Sequence, residues 1–198
     1  MLYIIYIIGI LGAYVLGAVP CGLILGRVLG YGDLRKIGSG NTGATNALRA
    51  GGLRFAILVW VLDMAKAIAA VLIGNWIGGA VFGAWCGFAA MLGHCFPIGL
   101  RFHGGKGVSC LFGILLAVNP LLFIICGIEW LIVALGFGYS SLGAIVVFCL
   151  APVLGFAMGA GIGFAFLAMG LLCLYRHIEN IGRLVGGTES KIVWRWKK

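Results

Sequence analysis

Apolar residues run along this chain in long blocks separated by short polar stretches, and block length is the first guide to structure. A helix rises about 1.5 Å per residue, so about 20 apolar residues cross the roughly 30 Å hydrocarbon core of a bilayer. On that scale the chain divides into runs at 2–25, 55–74, 77–97, 108–118, 121–137, 142–156 and 157–174. The pattern predicts an all-α, polytopic integral membrane bundle of seven transmembrane helices, a single domain over residues 1–198. The runs 108–118 and 142–156 are short; if they dip into the bilayer without crossing, the count is five. Residues 1–10 carry no basic flank, so the first run reads as a span and not as a cleaved signal peptide.

Composition supports the same class. The chain is 63% hydrophobic and 10% charged, with a mean hydropathy of +1.16, whereas about a quarter of a soluble domain is charged. Disorder is excluded by the same surplus of apolar residues. There are 35 glycines but only four prolines and no Gly-x-y period, which excludes collagen. Several glycines recur at four-residue spacing, Gly22/Gly26, Gly79/Gly83/Gly87 and Gly155/Gly159/Gly163, a pattern that lets membrane helices approach closely. The seven cysteines include no C-x-x-C pair and read as small buried hydrophobes.

Charge gives the orientation. The chain carries 14 Lys and Arg against 5 Asp and Glu, an excess that in a soluble protein would suggest nucleic acid. Here every basic residue except Lys66 falls in one of three segments: 27–54, 99–107 and the tail from Arg176. Alternating spans put all three on one face, while the uncharged links near Asn75, Asn119 and Gly155 fall on the other. The positive-inside rule then sets the N-terminus outside and the C-terminus in the cytoplasm, with no nucleic-acid partner. The link Tyr139-Ser140-Ser141 shares the cytoplasmic face, and Trp194-Arg195-Trp196-Lys197-Lys198 reads as an interfacial anchor.

The polar segments carry the candidate chemistry. Residues 38–49, G-S-G-N-T-G-A-T-N-A-L-R, contain G-x-G-x-x-G, but no strand precedes it and no βαβ unit follows, so the dinucleotide fingerprint is rejected. The segment reads either as an anion nest leading into a helix or as a flexible loop. Residues 93–97 (G-H-C-F-P) and 102–107 (F-H-G-G-K-G) set three glycines around Lys106; this is not a Walker A motif, because Leu100 and Gly107 stand where Gly and Ser/Thr are required. His94, Cys95 and His103 lack a fourth ligand at metal-site spacing, so no metal is expected. If the last span continues as a helix, Arg176, His177, Asn180 and Arg183 share one face. Asp63, Lys66 and Glu129 lie inside spans, where ionisable groups are costly; Asp63 and Lys66 are spaced to pair, and Glu129 has no evident partner.

Together the cytoplasmic segments are rich in donors and cations and poor in carboxylates, leaving Asp33, Glu179 and Glu189. A two-metal site wants several acidic ligands, so no metal chemistry is indicated. An electropositive site with two glycine loops at a membrane surface suits phosphate-bearing substrates, one of them lipidic. A transporter of phosphorylated solutes is the alternative; it predicts a midplane site and two similar halves, and no internal repeat is evident.

Through 38–49, 93–97 with 102–107, and R-H-I-E-N-I-G-R-L with G-T-E (176–184, 187–189), the chain resembles the PlsY family, bacterial membrane acyltransferases that use acyl phosphate to acylate glycerol 3-phosphate. The resemblance implies transfer to the sn-1 hydroxyl, giving lysophosphatidic acid and inorganic phosphate. It implies a monomer in the bacterial cytoplasmic membrane, among membrane lipid, with its site facing the cytoplasm and no cofactor. Ser39, Ser141, His177 and Asn180 are the implied catalytic residues, Ser141 being preferred to Ser140. Asn41, Thr45, Asn46, Arg49, Gly104, Gly105, Lys106 and Gly107 are implied to bind substrate, with the 104–107 loop holding phosphate and Glu189 structural. Thr42 stands where many members have proline, which changes loop stiffness more than chemistry. The H-x-x-x-x-D pattern of other acyltransferases is missing at all three histidines.

Overall fold

The computed structural model describes residues 2–192, so the Trp194–Lys198 anchor expected from sequence lies outside the described residues. The described residues form nine α-helices and two short 3₁₀ turns, with no strand among them. The helices are α1 (Leu2–Gly17), α2 (Cys21–Val28), α3 (Ala44–Gly51), α4 (Leu53–Cys95), α5 (Val108–Val118), α6 (Pro120–Phe137), α7 (Ser140–Ala157), α8 (Ala160–Arg176) and α9 (Ile178–Val185). Four segments are long and apolar enough to cross a membrane: Leu2–Val28, Leu53–Leu100, Pro120–Phe137 and Ser140–Ala157; α8 and α9 make a fifth if taken together. Isoleucine, leucine and valine side chains of α1, α6 and the first arm of α4 face outward, as a lipid-facing surface requires.

Helix α4 is a hairpin. Its path breaks at Gly78 and Gly79, the latter at φ 78°, a left-handed conformation that only glycine adopts without strain. The two arms then run antiparallel: Gly74 meets Gly83 and Cys86, Gly87 meets Val71, and His94 comes back beside Asp63 and Lys66. The turn lies past the Asn75 link expected from sequence, because the backbone freedom that reverses the chain is in the Gly-Gly pair. The break between α7 and α8 likewise falls at Met158–Gly159, not at Gly155. The four-residue glycine pattern thus divides in two. Gly79 and Gly159 break helices, while Gly83, Gly87, Gly155 and Gly163 have neighbours where a Cβ would stand.

Close backbone contacts hold the bundle. Helix α1 sits on the second arm of α4, where a Cβ on Gly17 would lie 1.9 Å from Ala90 O and one on Gly93 would lie 2.1 Å from Tyr14 O. The Tyr14 hydroxyl closes this seam by donating to Phe96 O at 2.6 Å. Pro152, inside α7, has no N–H to give Phe148 O, and Gly170 of α8 packs directly on that carbonyl. The main core lies among α4, α5, α7 and α8, around Met91, Leu111, Ile114, Leu115, Phe148, Phe166 and Met169. A second cluster of Leu23, Leu34, Ala47, Phe55 and Val59 fastens the 30–52 segment over the start of α4.

Candidate active site

The first polar segment is organised by one side chain. Asn46, 1% exposed, sits with Nδ2 2.9 Å from Leu34 O, 2.9 Å from Ile37 O and 2.8 Å from Asn41 O. Its Oδ1 accepts the Ser39 N–H at 3.0 Å. Asn41 Oδ1 caps the Gly43 N–H at 3.1 Å, just ahead of α3. A buried amide that satisfies several backbone groups fixes a loop with no regular structure of its own. The segment is therefore an ordered loop, and its ordering leaves the Ser39 hydroxyl and the Arg49 guanidinium without hydrogen-bond partners among the described residues. Thr45 Oγ1 lies 3.2 Å from Ser140 Oγ and joins this loop to the start of α7.

The second polar segment is clamped from both sides. Gly104 N–H donates to Cys95 O at 3.2 Å and Gly105 N–H to His94 O at 3.0 Å. From the other side Arg176 donates to Gly105 O at 3.1 Å and Gly104 O at 3.0 Å, with its guanidinium over the Phe96 ring. The sequence suggested a backbone cradle at 104–107, but these two glycines lie behind the cavity with their amides already occupied. What the loop presents is the Lys106 ammonium, followed by Gly107, whose φ of 85° turns the chain into α5.

The third segment does not continue α8. The helix ends at Arg176 and the chain bends by 59° into α9, so the shared face expected for 176, 177, 180 and 183 is divided at His177. Arg176 turns back to the glycine loop, while His177, Asn180 and Arg183 border the cavity. His177 is 3% exposed, edge-on to Phe148, with Nδ1 2.8 Å from Cys173 O. A carbonyl only accepts, so Nδ1 carries the proton and Nε2 of the neutral ring is a bare acceptor. Burial pushes the His177 pKa down, and the nearby Lys106 adds to the effect, so the ring is neutral at pH 7.

Glu189 gathers this segment and α7 together. Its Oε1 accepts from Ser141 Oγ at 2.7 Å and Asn180 Nδ2 at 2.6 Å, and its Oε2 accepts from Arg183 Nε at 2.7 Å. Burial works to raise this carboxyl, but the hydrogen bonds from Ser141, Arg183 and Asn180 outweigh it and hold the pKa below the usual range. Asn180 is fixed at its other end as well, since Oδ1 accepts from Lys106 Nζ. Burial lowers the Lys106 pKa, and the positive charge of Arg183 lowers it further.

These groups border a cavity of about 930 Å³. One end carries Ser39, Asn41, Thr45, Asn46, Arg49, Lys106, Gly107, Ser141, His177, Asn180, Arg183 and Glu189. The other is apolar, walled by Ile57, Trp60, Phe112, Phe123, Ile128 and Leu131 from α4, α5 and α6. Every residue that the resemblance implied to be catalytic or substrate-binding borders it except Gly104 and Gly105. Sequence reading missed the apolar wall, whose residues look like any other span, and the clamping role of Arg176. It also considered His94 beside Cys95 and His103 and not beside Asp63 and Lys66, where the hairpin brings it. No cluster of three metal-ligating side chains occurs among the described residues. Glu129, within α6, has both carboxyl oxygens buried with no hydrogen-bond partner among the described residues.

A helical membrane protein with a cationic, hydroxyl-rich pocket opening into an apolar trough is suited to a substrate that is phosphate at one end and hydrocarbon at the other. Residues 7–187 match the family described as glycerol-3-phosphate acyltransferase. The glycerol-3-phosphate acyltransferase of Sinorhizobium medicae is 46% identical over 180 residues, 90% of this chain and 88% of that one. That of Agrobacterium fabrum is 43% identical over the same coverage. The crystal structure of PlsY (YgiH), an integral membrane glycerol 3-phosphate acyltransferase, in its glycerol 3-phosphate form matches with a TM-score of 0.89 at 35% identity, covering 95% of this chain and 96% of that one. Its lysophosphatidic acid form matches with a TM-score of 0.88. The chain belongs to the glycerol-3-phosphate acyltransferase family.

Proposed function

We propose that this protein transfers a fatty acyl group from acyl phosphate to the sn-1 hydroxyl of glycerol 3-phosphate, releasing lysophosphatidic acid and inorganic phosphate. The observation that carries the proposal is the two-ended cavity, in which Arg49, Lys106 and Arg183 meet an apolar trough without a break. Glycerol 3-phosphate and acyl phosphate each bring a phosphate to the cationic end, and the acyl chain takes the trough. The relatives' names and the glycerol 3-phosphate and lysophosphatidic acid forms of PlsY support the acceptor and the product.

Acyl phosphate is already activated, so the site has to position two substrates and stabilise charge. Lys106 and Arg49 neutralise the phosphates. Ser39 is the better oxyanion donor, because its hydroxyl is uncommitted while Asn180 Nδ2 and the Ser141 hydroxyl already donate to Glu189. The acceptor hydroxyl attacks the acyl carbon, the bond to phosphate breaks, and the proton goes to His177 Nε2 or to an oxygen of the departing phosphate. Sequence alone gave Ser141 no base, and Glu189 at 2.7 Å supplies a partner. A carboxylate held ionised by three donors is a weak base, which favours direct attack over a Ser141 acyl-enzyme. Burst kinetics would reverse that preference.

The proposed topology has the N-terminus outside and the C-terminus and site on the cytoplasmic side of the bacterial inner membrane, with each arm of α4 and each of α1, α5, α6, α7 and α8 as one of seven passes. Support comes from the basic loops, which share the end of the bundle that holds the cavity's polar groups. The protein acts as a monomer, since one chain supplies both ends of the cavity. The test uses purified protein in lipid with glycerol 3-phosphate and either palmitoyl phosphate or palmitoyl-CoA, following phosphate and lysophosphatidic acid. Turnover with acyl phosphate alone is expected. Turnover only with the thioester would keep the acyltransferase and reject the donor, and silence with both would reject the reaction.

A further inference from the structure

Asp63 and Lys66 are buried in the first arm of α4 and His94 in its last turn, where it also borders the cavity; none has a part in the chemistry above, yet buried ionisable groups in a membrane protein are too costly to be incidental. Lys66 Nζ pairs with Asp63 Oδ1 at 2.9 Å, donates to Val19 O at 2.8 Å in the break between α1 and α2, and lies 3.0 Å from His94 Nδ1. An ammonium donates and never accepts, so Nδ1 is the acceptor and the ring's own proton sits on Nε2. Asp63 Oδ1 stands farther from Nδ1, at 3.5 Å. On its other side the ring lies against Gly105, where a Cβ would be 2.0 Å from His94 Nε2. The backbone carbonyl of the same histidine accepts the Gly105 N–H at 3.0 Å. His94 therefore grips Gly105 through both ring and main chain, and the next residue is Lys106.

We propose that the buried Asp63–Lys66 pair holds His94 as its Nε2–H tautomer, and that His94 is a positioning residue that sets Lys106 against the substrate phosphate by backing Gly105. The proposal rests on Lys106 being a phosphate ligand, and its test separates the two claims. A residue that acts only through Lys106 loses its influence once Lys106 is gone, whereas a residue that merely supports the fold lowers both backgrounds alike.

The experiment measures kcat and KM for acyl phosphate and glycerol 3-phosphate with the full chain in lipid, for His94→Gln, Lys106→Ala and the double variant, each checked for thermal unfolding. Lys106→Ala is expected to depress kcat/KM. His94→Gln is expected to cost about 10- to 100-fold, the scale of a misplaced binding group, mainly in KM, and the double variant should be no worse than Lys106→Ala alone. Full activity of Lys106→Ala would overturn the phosphate-ligand reading, and this proposal with it. A harmful Lys106→Ala with additive His94→Gln would overturn this proposal alone. If His94→Gln does not fold, Gly105→Ala displaces the ring from the opposite side, and the same non-additivity with Lys106→Ala is expected. ¹⁵N NMR of the His94 ring should find a protonated Nε2 and a bare Nδ1, and the opposite tautomer refutes the mechanism.

Discussion

Glu189→Gln is the perturbation that separates an anchoring carboxylate from a catalytic one. The wild-type side chain is 7% exposed and accepts from Ser141, Asn180 and Arg183. A glutamine offers one oxygen and one NH₂ group. With the oxygen at the Oε1 position Ser141 and Asn180 keep their acceptor, but the NH₂ faces the Arg183 Nε–H, donor against donor. The reverse placement sets NH₂ against Asn180 Nδ2, and Asn180 cannot flip because its Oδ1 takes the Lys106 ammonium. The first arrangement prevails and loses the charge-assisted bond to Arg183, a loss of about 2 kcal/mol. Transmitted fully to the transition state, that is about 30-fold in rate. We expect kcat/KM for lysophosphatidic acid formation to fall by roughly 10- to 100-fold, together with a lower thermal midpoint in detergent. A base that deprotonates Ser141 would behave differently: kcat would fall by a thousandfold or more at unchanged stability, and any burst of phosphate release would vanish. Wild-type activity and stability in Glu189→Gln would refute the anchoring role.

Four further outcomes are expected. Burial and the charge of Arg183 depress the Lys106 pKa, so the ammonium is lost below the ordinary lysine range; kcat/KM should show an alkaline limb there, and Lys106→Arg, slower overall, should lack it. His177 is held neutral by burial, so any acid limb in kcat that it causes lies below pH 6.5; near-normal turnover of His177→Gln with a flat profile removes it as proton acceptor. Asn46→Ala strands the Ser39 N–H and the Asn41 carbonyl and takes one of two partners from Leu34 O and Ile37 O, which keep the Ile37 and Gly40 N–H groups, a loss of about 2–4 kcal/mol; hydrogen exchange should rise across 33–46 while the helices stay protected, and KM should rise. Gly17→Ala drives a methyl group into Ala90 O and should sharply lower the thermal midpoint, whereas Gly12→Ala on the same helix, where nothing lies within 4 Å, should not.

Apolar runs made the membrane-helical class legible, because the bilayer imposes a length that composition alone can meet. The three polar motifs were legible as well, since each is local in sequence. The points where the chain reverses were less so: a helical-packing glycine and a helix-breaking one look alike until φ is known, and Gly79 and Gly159 proved to be breakers. The bend at His177 was hidden because residues 160–185 contain no proline and nothing else that announces a break. Roles that depend on distant partners could not be read at all. Ser141 and Glu189 are 48 residues apart, Lys106 and Asn180 are 74, and Lys66 and His94 meet only because the hairpin register is what it is. The glycines of 104–107 invited a phosphate cradle from sequence, and only the carbonyls of His94 and Cys95 reveal that two of their amides are taken.

The distribution of acceptors in the cavity bears on where the proton goes. Glu189 is committed to three donors, and the Glu179 side chain is 83% exposed and only loosely paired with Arg183 at 3.9 Å. Among the described residues that leaves His177 Nε2 as an uncommitted basic atom at the polar end, and burial makes it a weak base. A strong base is unnecessary if the leaving group can accept the proton. In the proposed reaction the phosphate released from acyl phosphate would gain basicity as its bond to the acyl carbon breaks, with Lys106 and Arg49 placed to stabilise its charge. A site built on this plan wants cations, one free hydroxyl for the oxyanion, and carboxylates kept away from the phosphates. Arg49 and Lys106 supply the cations and Ser39 the hydroxyl, while Glu189, which also borders the polar end, is enclosed by donors and turned into scaffolding.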